Sequence, residues 1–309
     1  MSAPAAPRIA VAPEPAGFAV AAVEAGGGRV VSVEEAPEAL VWVSPRHLGQ
    51  LRDILAAGTS IRWIQLPFAG VERHVAGGLI DTSHEWTCAK GSYARPVAEH
   101  ALTLALAGLR MLPDRIRASS WGPEGGTSLY GAPVTILGGG GITAELLRLL
   151  AAFEVSASVV RRNPSPLPGA ARTVTVDRLD EVLPGSLVVF LALALTPETT
   201  GIISRSRMVA MGPSAWLVNV ARGGHVDTEA LVAALSAGEL GGAALDVTDP
   251  EPLPEGHPLW RAPNCIITPH TADTWEMVEP LLSDRIRRNV AHFAAGEPLE
   301  GVVDPRAGY

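Results

Sequence analysis

Short apolar segments that alternate with helical patterns constrain the fold of this chain more than any other feature. They lie at 9–12, 30–33, 40–43 and 61–66, and further on at 134–137, 156–160, 187–191, 215–220, 242–247 and 265–268. Segments this short and this uniformly apolar suit strands that are buried on both faces of a sheet. Strands that alternate with helices predict an α/β fold with parallel sheets.

Helical spacing of apolar residues predicts the connections between these strands. We expect a helix at 45–57, with Gly58 as its C-terminal stop. Further helices are expected at 96–112, 144–153, 204–211, 228–238 and 275–293. The segment 96–112 has alanine and leucine on nearly every face, which indicates burial all round. A polar, glycine-rich connector at 119–127 precedes the second alternating series. A chain of 309 residues should hold two domains.

Composition excludes several classes of protein. Glycine and proline make up about a fifth of the chain, too little for collagen or for low-complexity disorder. The net charge of −8 argues against binding to a nucleic-acid backbone, which needs clustered cations. The longest apolar stretch, 187–195, is far shorter than the ~20 residues of a membrane span. The N-terminal residues contain no apolar core of a signal peptide, so we expect a soluble, cytoplasmic protein.

A glycine-rich turn follows the predicted strand at 134–137 and precedes a helical pattern. In dinucleotide-binding units such glycines permit a tight turn and let a pyrophosphate approach the helix N-terminus. Two registers fit, Gly138-x-Gly140-x-x-Thr143 and Gly139-x-Gly141-x-x-Ala144. An ordinary strand-to-helix turn is the alternative, but the flanking strand and helix favour a cofactor site.

Three later segments show a likeness to a known family. They are Leu-Val-Asn-Val-Ala-Arg-Gly-Gly at 217–224, Ala-Leu-Asp-Val-Thr-Asp-Pro-Glu-Pro-Leu at 244–253, and Pro-Leu-Trp-Arg-Ala-Pro-Asn-Cys-Ile-Ile-Thr-Pro-His at 258–270. Shorter matches stand at 69–72, 97–100 and 196–199. Together with the glycine turn, and in the order in which they occur, these motifs resemble those of the D-2-hydroxyacid dehydrogenase family, which includes glyoxylate/hydroxypyruvate reductases.

The resemblance implies an architecture of two Rossmann-like domains with parallel sheets, of the formate/glycerate dehydrogenase type, with the active site in the interdomain cleft. Residues 1–98 with 276–309 would form the substrate domain, and residues 99–275 would form the dinucleotide-binding domain. Members of the family are usually homodimers, so the resemblance implies a homodimer with the helix after Glu99 near the interface.

The same resemblance assigns three catalytic roles. Arg222 would bind the substrate and polarise its carbonyl, and His270 would donate the proton to the carbonyl oxygen. Both follow predicted strands, and strand ends form the ligand-binding edge of a parallel sheet. Glu251 would orient the histidine and favour its protonated form. By composition alone Asp249 or Glu255 would serve as well as Glu251, and a solvated loop arginine is the alternative for Arg222.

The family pattern also implies binding residues. The backbone N–H groups of Ala69 and Gly70 would receive the substrate carboxylate, with Arg222 and His270 completing that site. Asp246 would face the nicotinamide carboxamide, with a helix N-cap as its alternative, and His100 is interpreted as structural. The implied cofactor-binding residues are Gly138, Gly140, Gly141, Ile142, Arg161, Arg162, Thr196, Val220, Ala221, Asp246 and His270. The remaining histidines and the two cysteines lack metal-ligand spacing, so no metal site is expected.

Three positions depart from the family pattern. Arg161 stands where an acidic residue usually binds the adenosine ribose, and Arg162 follows it; guanidinium groups pair well with a 2′-phosphate. We therefore predict NADP(H), with NAD possible and a solvated basic turn as the alternative. Thr143 replaces a glycine and should loosen or shift the helix, and Ala194 replaces a proline near the cofactor.

The predicted function is reduction of a small 2-keto acid, such as glyoxylate or hydroxypyruvate, by NADPH to the D-2-hydroxy acid. Two alternatives remain open: a cofactor-sensing, co-repressor-like interaction protein on the same fold, and a hydride enzyme for a non-hydroxyacid substrate such as phosphite. The intact Arg222, Glu251 and His270 argue against the first. The motifs do not specify the keto acid, which should depend on the pocket around Phe68, Tyr93 and Trp275.

Overall fold

The computed structural model describes residues 5–45, 47–57 and 60–305. The chain divides into two compact units, residues 1–93 with 274–309 and residues 94–273. The sequence predicts these boundaries at 98 and 275, a few residues further along the chain. The predicted helix stop at Gly58 lies outside the described residues.

Strands and helices alternate along the described chain. The strands are β1 (Arg8–Ala12), β2 (Arg29–Val31), β3 (Ala39–Trp42), β4 (Trp63–Gln65), β5 (Glu85–Thr87), β6 (Pro133–Leu137), β7 (Ser156–Val160), β8 (Arg172–Val174), β9 (Val188–Leu191), β10 (Trp216–Asn219), β11 (Gly242–Leu245) and β12 (Cys265–Ile267). The helices are α1 (Gly17–Ala25), α2 (Leu48–Ala57), α3 (Glu72–Ala76), α4 (Ala94–Leu109), α5 (Leu112–Arg117), α6 (Gly141–Leu150), α7 (Arg205–Met211), α8 (Thr228–Ser236) and α9 (Trp275–Ala295).

The first unit contains a five-stranded parallel sheet in the order β2-β1-β3-β4-β5. This is the 2-1-3-4-5 order of flavodoxin-like doubly wound sheets. Its core includes three fully buried tryptophans, Trp42, Trp63 and Trp86, and α9 packs against α1. Val302 forms an isolated antiparallel bridge with Thr87, so the C-terminal segment covers part of the edge strand β5.

The second unit contains a seven-stranded parallel sheet in the order β12-β11-β10-β9-β6-β7-β8. Its first six strands in chain order follow the Rossmann order 3-2-1-4-5-6, and β12 extends the far edge. Every residue of β9 and β11 is buried, as the uniformly apolar segments predicted. The predicted α/β class with parallel sheets is therefore confirmed. The strand order reverses between β6 and β9, which makes this the ligand-binding switch point.

The structure also corrects the sequence-based prediction. Strands β5 and β8 were not predicted, because each has three residues of which one is charged and one is a threonine, so neither contains an apolar segment. Burial all round is wrong for α4, since Arg95, Glu99 and Thr103 are exposed. Within the ranges that the structure describes, no helix combines the length and the apolar character that crossing a membrane requires.

Candidate active site

Most predicted site residues lie at one edge of the seven-stranded sheet. Parallel strands share a direction, so the segments after their carboxyl ends meet at one edge. The strand ends are followed by Gly138 after β6, Arg161 after β7, the loop 192–199 after β9, Arg222 after β10, Asp246 after β11 and His270 after β12. This edge includes the switch point between β6 and β9.

The glycine turn at this edge has the geometry of a phosphate-binding turn. Gly138 has a φ of +114°, and a Cβ there would overlap the carbonyl group of Ala192, so only glycine fits. Gly140 is extended and α6 begins at Gly141, which fits the register starting at Gly138. A Cβ added at Gly140 would meet no atom within 4 Å, so the backbone there is open to a ligand.

Thr143 links helix α6 to the glycine turn. Its side chain is fully buried, and its hydroxyl donates a hydrogen bond of 3.1 Å to the carbonyl oxygen of Gly138. The expected loosening is therefore replaced by a direct hydrogen bond, because the hydroxyl finds a backbone acceptor. Ile142, another predicted cofactor residue, lies beside it in the first turn of α6.

Arg161 and Arg162 differ in their surroundings. A Cβ added at Gly139 would lie 2.7 Å from Nε of Arg161, so the Arg161 side chain crosses the glycine turn. Arg162 is exposed. A hydrogen bond with the Thr196 side chain lowers the pKa of Glu198, and the Arg162 charge lowers it further. Sequence reasoning missed Glu198, which places an acidic group near one of the two arginines.

His270 and Glu251 form a close pair. Nδ1 of His270 lies 2.7 Å from Oε1 of Glu251. The ring then has Nε2 available for a substrate. His270 has a φ of +52°, and its backbone N–H donates to the carbonyl oxygen of Asp246 at 2.8 Å. Of the three acids that composition left open, Glu251 is the one that the structure brings to the histidine.

The turn that carries Arg222 is fixed by its neighbours. Nδ2 of Asn219 donates to the carbonyl oxygen of Arg222 at 2.9 Å, and Oδ1 of Asn219 accepts from the backbone N–H of Ala221 at 3.0 Å. A Cβ at Gly223 would overlap the carbonyl group of Thr248. The Arg222 turn therefore packs directly against the loop that leads to Glu251. The predicted cofactor residues Val220 and Ala221 are buried at the end of β10.

Asp246, directly after β11, is surrounded by hydrogen-bond donors. Its carboxylate accepts hydrogen bonds from the Thr268 hydroxyl at 2.6 Å and from the backbone N–H groups of Thr271 at 2.9 Å and Ala272 at 3.0 Å. Nε2 of His100 lies 3.3 Å from Oδ1. The residue is only 2% exposed. Asp246 thus fastens the turn that follows β12, and its contact with a carboxamide stays a prediction.

These contacts determine the charge of Asp246 and the orientation of His100. Burial alone would raise the pKa of Asp246, but hydrogen bonds from His100, Thr268 and the backbone outweigh it and lower the pKa to about 2. The Thr268 hydroxyl uses its hydrogen on Asp246, so Nε2 of His100 donates in its 3.0 Å contact with the Thr268 oxygen. His100 is thus a hydrogen-bond donor in the group formed by Asp246, Thr268, His100 and the backbone N–H groups of Thr271 and Ala272, which we call the Asp246 cluster.

Asp273 is a further ionisable group that sequence reasoning missed. Burial raises its pKa; the charges of His270 and Arg222 oppose this rise, and the charge of Asp246 adds to it. His270, Arg222 and Asp246 therefore share one electrostatic environment with Asp273. Its position three residues after His270, in no quoted motif, gave no signal for this.

Ala69 and Gly70 belong to the first unit, in the segment that follows β4. The carbonyl oxygen of Phe68 accepts from the backbone N–H of Ala89 at 2.9 Å, and that of Ala69 accepts from Sγ of Cys88 at 3.5 Å. Within the described residues, the N–H groups of Ala69 and Gly70 donate no hydrogen bond. These two donors are therefore available to a ligand.

Two of the three residues expected to shape the pocket have aromatic partners. The Phe68 ring stacks on His74 with centroids 4.3 Å apart, and Trp275 meets Phe18 edge-on at 5.4 Å. Tyr93 is buried, and its hydroxyl donates to the carbonyl oxygen of Pro67. Among the residues whose placement is described, no three His, Cys, Asp or Glu side chains are grouped to hold a metal ion.

The strand order, the glycine turn and the paired histidine are those of a dinucleotide-dependent dehydrogenase domain. Residues 100–272 match the family model described as the NAD binding domain of D-isomer specific 2-hydroxyacid dehydrogenases. The chain therefore belongs to the D-isomer specific 2-hydroxyacid dehydrogenase family, as its motifs predicted, and is an oxidoreductase of that class.

Individual relatives are similar to this chain over most of their length. A Corynebacterium melassecola protein, "Uncharacterized protein in proB 3′region", is 40% identical over 81% of this chain and 84% of its own length. A glyoxylate/hydroxypyruvate reductase A of Serratia proteamaculans is 30% identical over 88% of this chain and 87% of its own. The crystal structure of a family member from Xanthobacter autotrophicus, in complex with NADPH and MES, is 29% identical with a TM-score of 0.84, covering 99% of this chain and 100% of that one.

Proposed function

We propose that this protein reduces a small 2-keto acid, such as glyoxylate or hydroxypyruvate, with NADPH to give the D-2-hydroxy acid. The observation that carries the proposal is the 2.7 Å contact between His270 and Glu251, at the strand edge that also presents Arg222. The name of the Serratia proteamaculans relative supports the choice of substrate class.

The residues present fit a dinucleotide with a 2′-phosphate. The open backbone at Gly140 and the N-terminus of α6 suit a pyrophosphate. Arg161, which crosses the turn, supplies a cation where a 2′-phosphate would be recognised. The NADPH in the Xanthobacter autotrophicus relative supports NADP(H), with NAD as a possible second cofactor. When bound, NADPH supplies the hydride. The other residues proposed to hold it are Gly138, Gly141, Ile142, Arg162, Thr196, Val220, Ala221, Asp246 and His270.

The chain's own residues would bind, polarise and protonate the keto acid. The N–H groups of Ala69 and Gly70 would receive the carboxylate, and the Arg222 guanidinium would bind and polarise the carbonyl oxygen. Nε2 of His270 would transfer its proton to this oxygen as negative charge develops there. The Glu251 carboxylate, 2.7 Å from Nδ1, fixes the orientation of the ring.

Steady-state consumption of NADPH and NADH with a panel of 2-keto acids tests this proposal. We expect turnover with glyoxylate or hydroxypyruvate, and loss of turnover in His270→Ala. The same panel includes phosphite with NADP⁺ as a substrate for oxidation. Turnover of phosphite alone would favour a non-hydroxyacid enzyme, and tight NADPH binding with no turnover of any substrate would favour a cofactor-sensing protein.

We propose in addition that the protein is a homodimer. The segment after α4 supports this, because it carries exposed apolar side chains: Ile116 is 80% exposed and Trp121 is 97% exposed. Light scattering coupled to size-exclusion chromatography tests it, with Trp121→Ser expected to weaken the dimer. The cytoplasmic location expected from the sequence stays a prediction.

A further inference from the structure

A buried histidine lies beside the proposed active site without a role in it. His225 is 0% exposed and ends the short 3₁₀ turn Gly223–His225, directly after Arg222. Its own backbone is paired, since its carbonyl oxygen accepts from the N–H of Ile203 at 2.9 Å. Burial of an imidazole ring is costly unless its nitrogens find partners.

The ring of His225 contacts both ends of one loop. Nδ1 lies 3.0 Å from the carbonyl oxygen of Thr199, and Nε2 lies 3.3 Å from that of Leu193. A carbonyl oxygen only accepts hydrogen bonds, so each contact needs an N–H from the ring. A neutral ring satisfies one carbonyl at a time, and a doubly protonated ring satisfies both.

The segment bracketed by these contacts is the loop 193–199, which follows β9 at the switch point. The loop is closed by its own hydrogen bonds: the Thr199 hydroxyl donates to the carbonyl oxygen of Ala194 at 2.8 Å and accepts from the backbone N–H of Thr196 at 2.8 Å. It starts beside Ala192, whose carbonyl group lies against Gly138. A shift of the loop would therefore move Thr196 relative to the glycine turn.

We propose that His225 is a positioning residue that fastens the loop 193–199 to the turn that carries Arg222. Through the two carbonyls, the ring fixes the distance between the segment with Thr196 and the strand end with Arg222. In the proposed function, on which this inference rests, the loop binds the cofactor and Arg222 binds the keto acid. His225 would thus set the spacing between the two binding sites.

Replacement of the ring tests this proposal. His225→Phe keeps an aromatic ring but donates no hydrogen bond, so the carbonyls of Leu193 and Thr199 lose their contacts with the ring, and Thr199 keeps only its bond from the backbone N–H of Ile202. We expect the Kd for NADPH, measured by fluorescence titration, to rise about tenfold, and the backbone amides of 193–200 to exchange hydrogen faster in the free protein. His225→Gln, whose N–H donors all lie on one nitrogen in place of the two ring nitrogens, should recover part of both effects. Leu235→Ala is the control, a buried truncation in α8 that should lower Tm and leave both values unchanged.

The outcomes separate this inference from the proposed function. Exchange in the free protein and NADPH binding need no turnover, so both can change even if no keto acid is reduced. An unchanged Kd and unchanged exchange of 193–200 in His225→Phe would overturn the positioning role, whatever the activity. If His225→Phe does not fold, His225→Gln decides by the same two measurements. A rise in the KM for NADPH that exceeds the change in kcat would agree with the proposal.

Discussion

The two units of this protein use related parallel sheets in different ways. Both sheets are doubly wound, with the order 2-1-3-4-5 in the first unit and 3-2-1-4-5-6 plus a seventh strand in the second. The edge of the seven-stranded sheet presents ionisable side chains, with Arg222, His270 and Glu251 among them. The segment after β4 in the first unit offers backbone N–H groups at Ala69 and Gly70. In the proposed function, a shared architecture would therefore support side-chain chemistry in one unit and backbone recognition in the other.

The sharpest test of this contrast is removal of the arginine. Arg222→Ala should lower kcat/KM for the keto acid by roughly 30-fold to several thousand-fold, because loss of a charged partner for an anionic ligand costs about 2–5 kcal/mol. Steady-state kinetics measures this effect. Arg205→Ala is the matched control, since Arg205 pairs with Glu239 on the surface of the same unit. Equal kcat/KM in wild type and Arg222→Ala would contradict the assignment of side-chain chemistry to this edge.

The sequence places Arg222 and His270 at the sheet edge because each lies shortly after a strand and within a recognisable motif, and their catalytic roles stay predictions. It left Glu251, Asp249 and Glu255 open, since only the path of the loop determines which carboxylate reaches the histidine. The Asp246 cluster was beyond prediction for another reason. Its donors come from α4, β12 and the turn after it, so the contact with His100 joins residues far apart in the chain.

The Asp246 cluster provides the second test. With a folded-state pKa of about 2 against an ordinary 3.8, Asp246 contributes stability that is present above pH 4 and is lost as pH falls through 2. The contribution is on the order of 2 kcal/mol. Asp246→Asn should lower the free energy of unfolding by this amount at pH 7, and the difference should shrink toward pH 2. Urea denaturation at several pH values measures it.

A matched substitution separates this effect from general loss of charge. Asp177→Asn removes an exposed carboxylate in the same unit and should leave the free energy of unfolding nearly unchanged. A constant difference between wild type and Asp246→Asn from pH 7 to pH 2 would contradict the linkage argument.

The long apolar strands were easier to predict than the short strands and the buried polar residues. Uniformly apolar segments such as β9 could only be buried strands, and the alternation with helices fixed the parallel arrangement. The short strands β5 and β8 were not predicted because each combines a charged residue with a threonine in only three positions and so lacks an apolar run. The complete burial of His225 was not predicted either, because a polar residue beside two glycines gives no signal of burial.

The cofactor preference is the third test, and it separates the two arginines. NADPH should be preferred over NADH by at least tenfold in kcat/KM, equivalent to about 1.4 kcal/mol. Arg161→Ala should reduce the preference more than Arg162→Ala, because Arg161 crosses the glycine turn and Arg162 acts on Glu198. The double variant should lose most of the preference and keep its turnover with NADH. A native preference for NADH would mean that both arginines only form a solvated basic turn.

The smallest effect on kcat/KM is expected from a side-chain substitution in the first unit, at Ala69. If Ala69 contributes through its backbone N–H, then Ala69→Ser changes an exposed side chain and keeps the donor, so kcat/KM for the keto acid should change by less than about twofold. Cys88→Ala is a useful companion, because it removes the Sγ contact with the carbonyl oxygen of Ala69 and tests whether the segment itself is held in place. A large loss in Ala69→Ser with an unchanged Tm would mean that the first unit, like the second, acts through a side-chain position, and the contrast between the two units would fail.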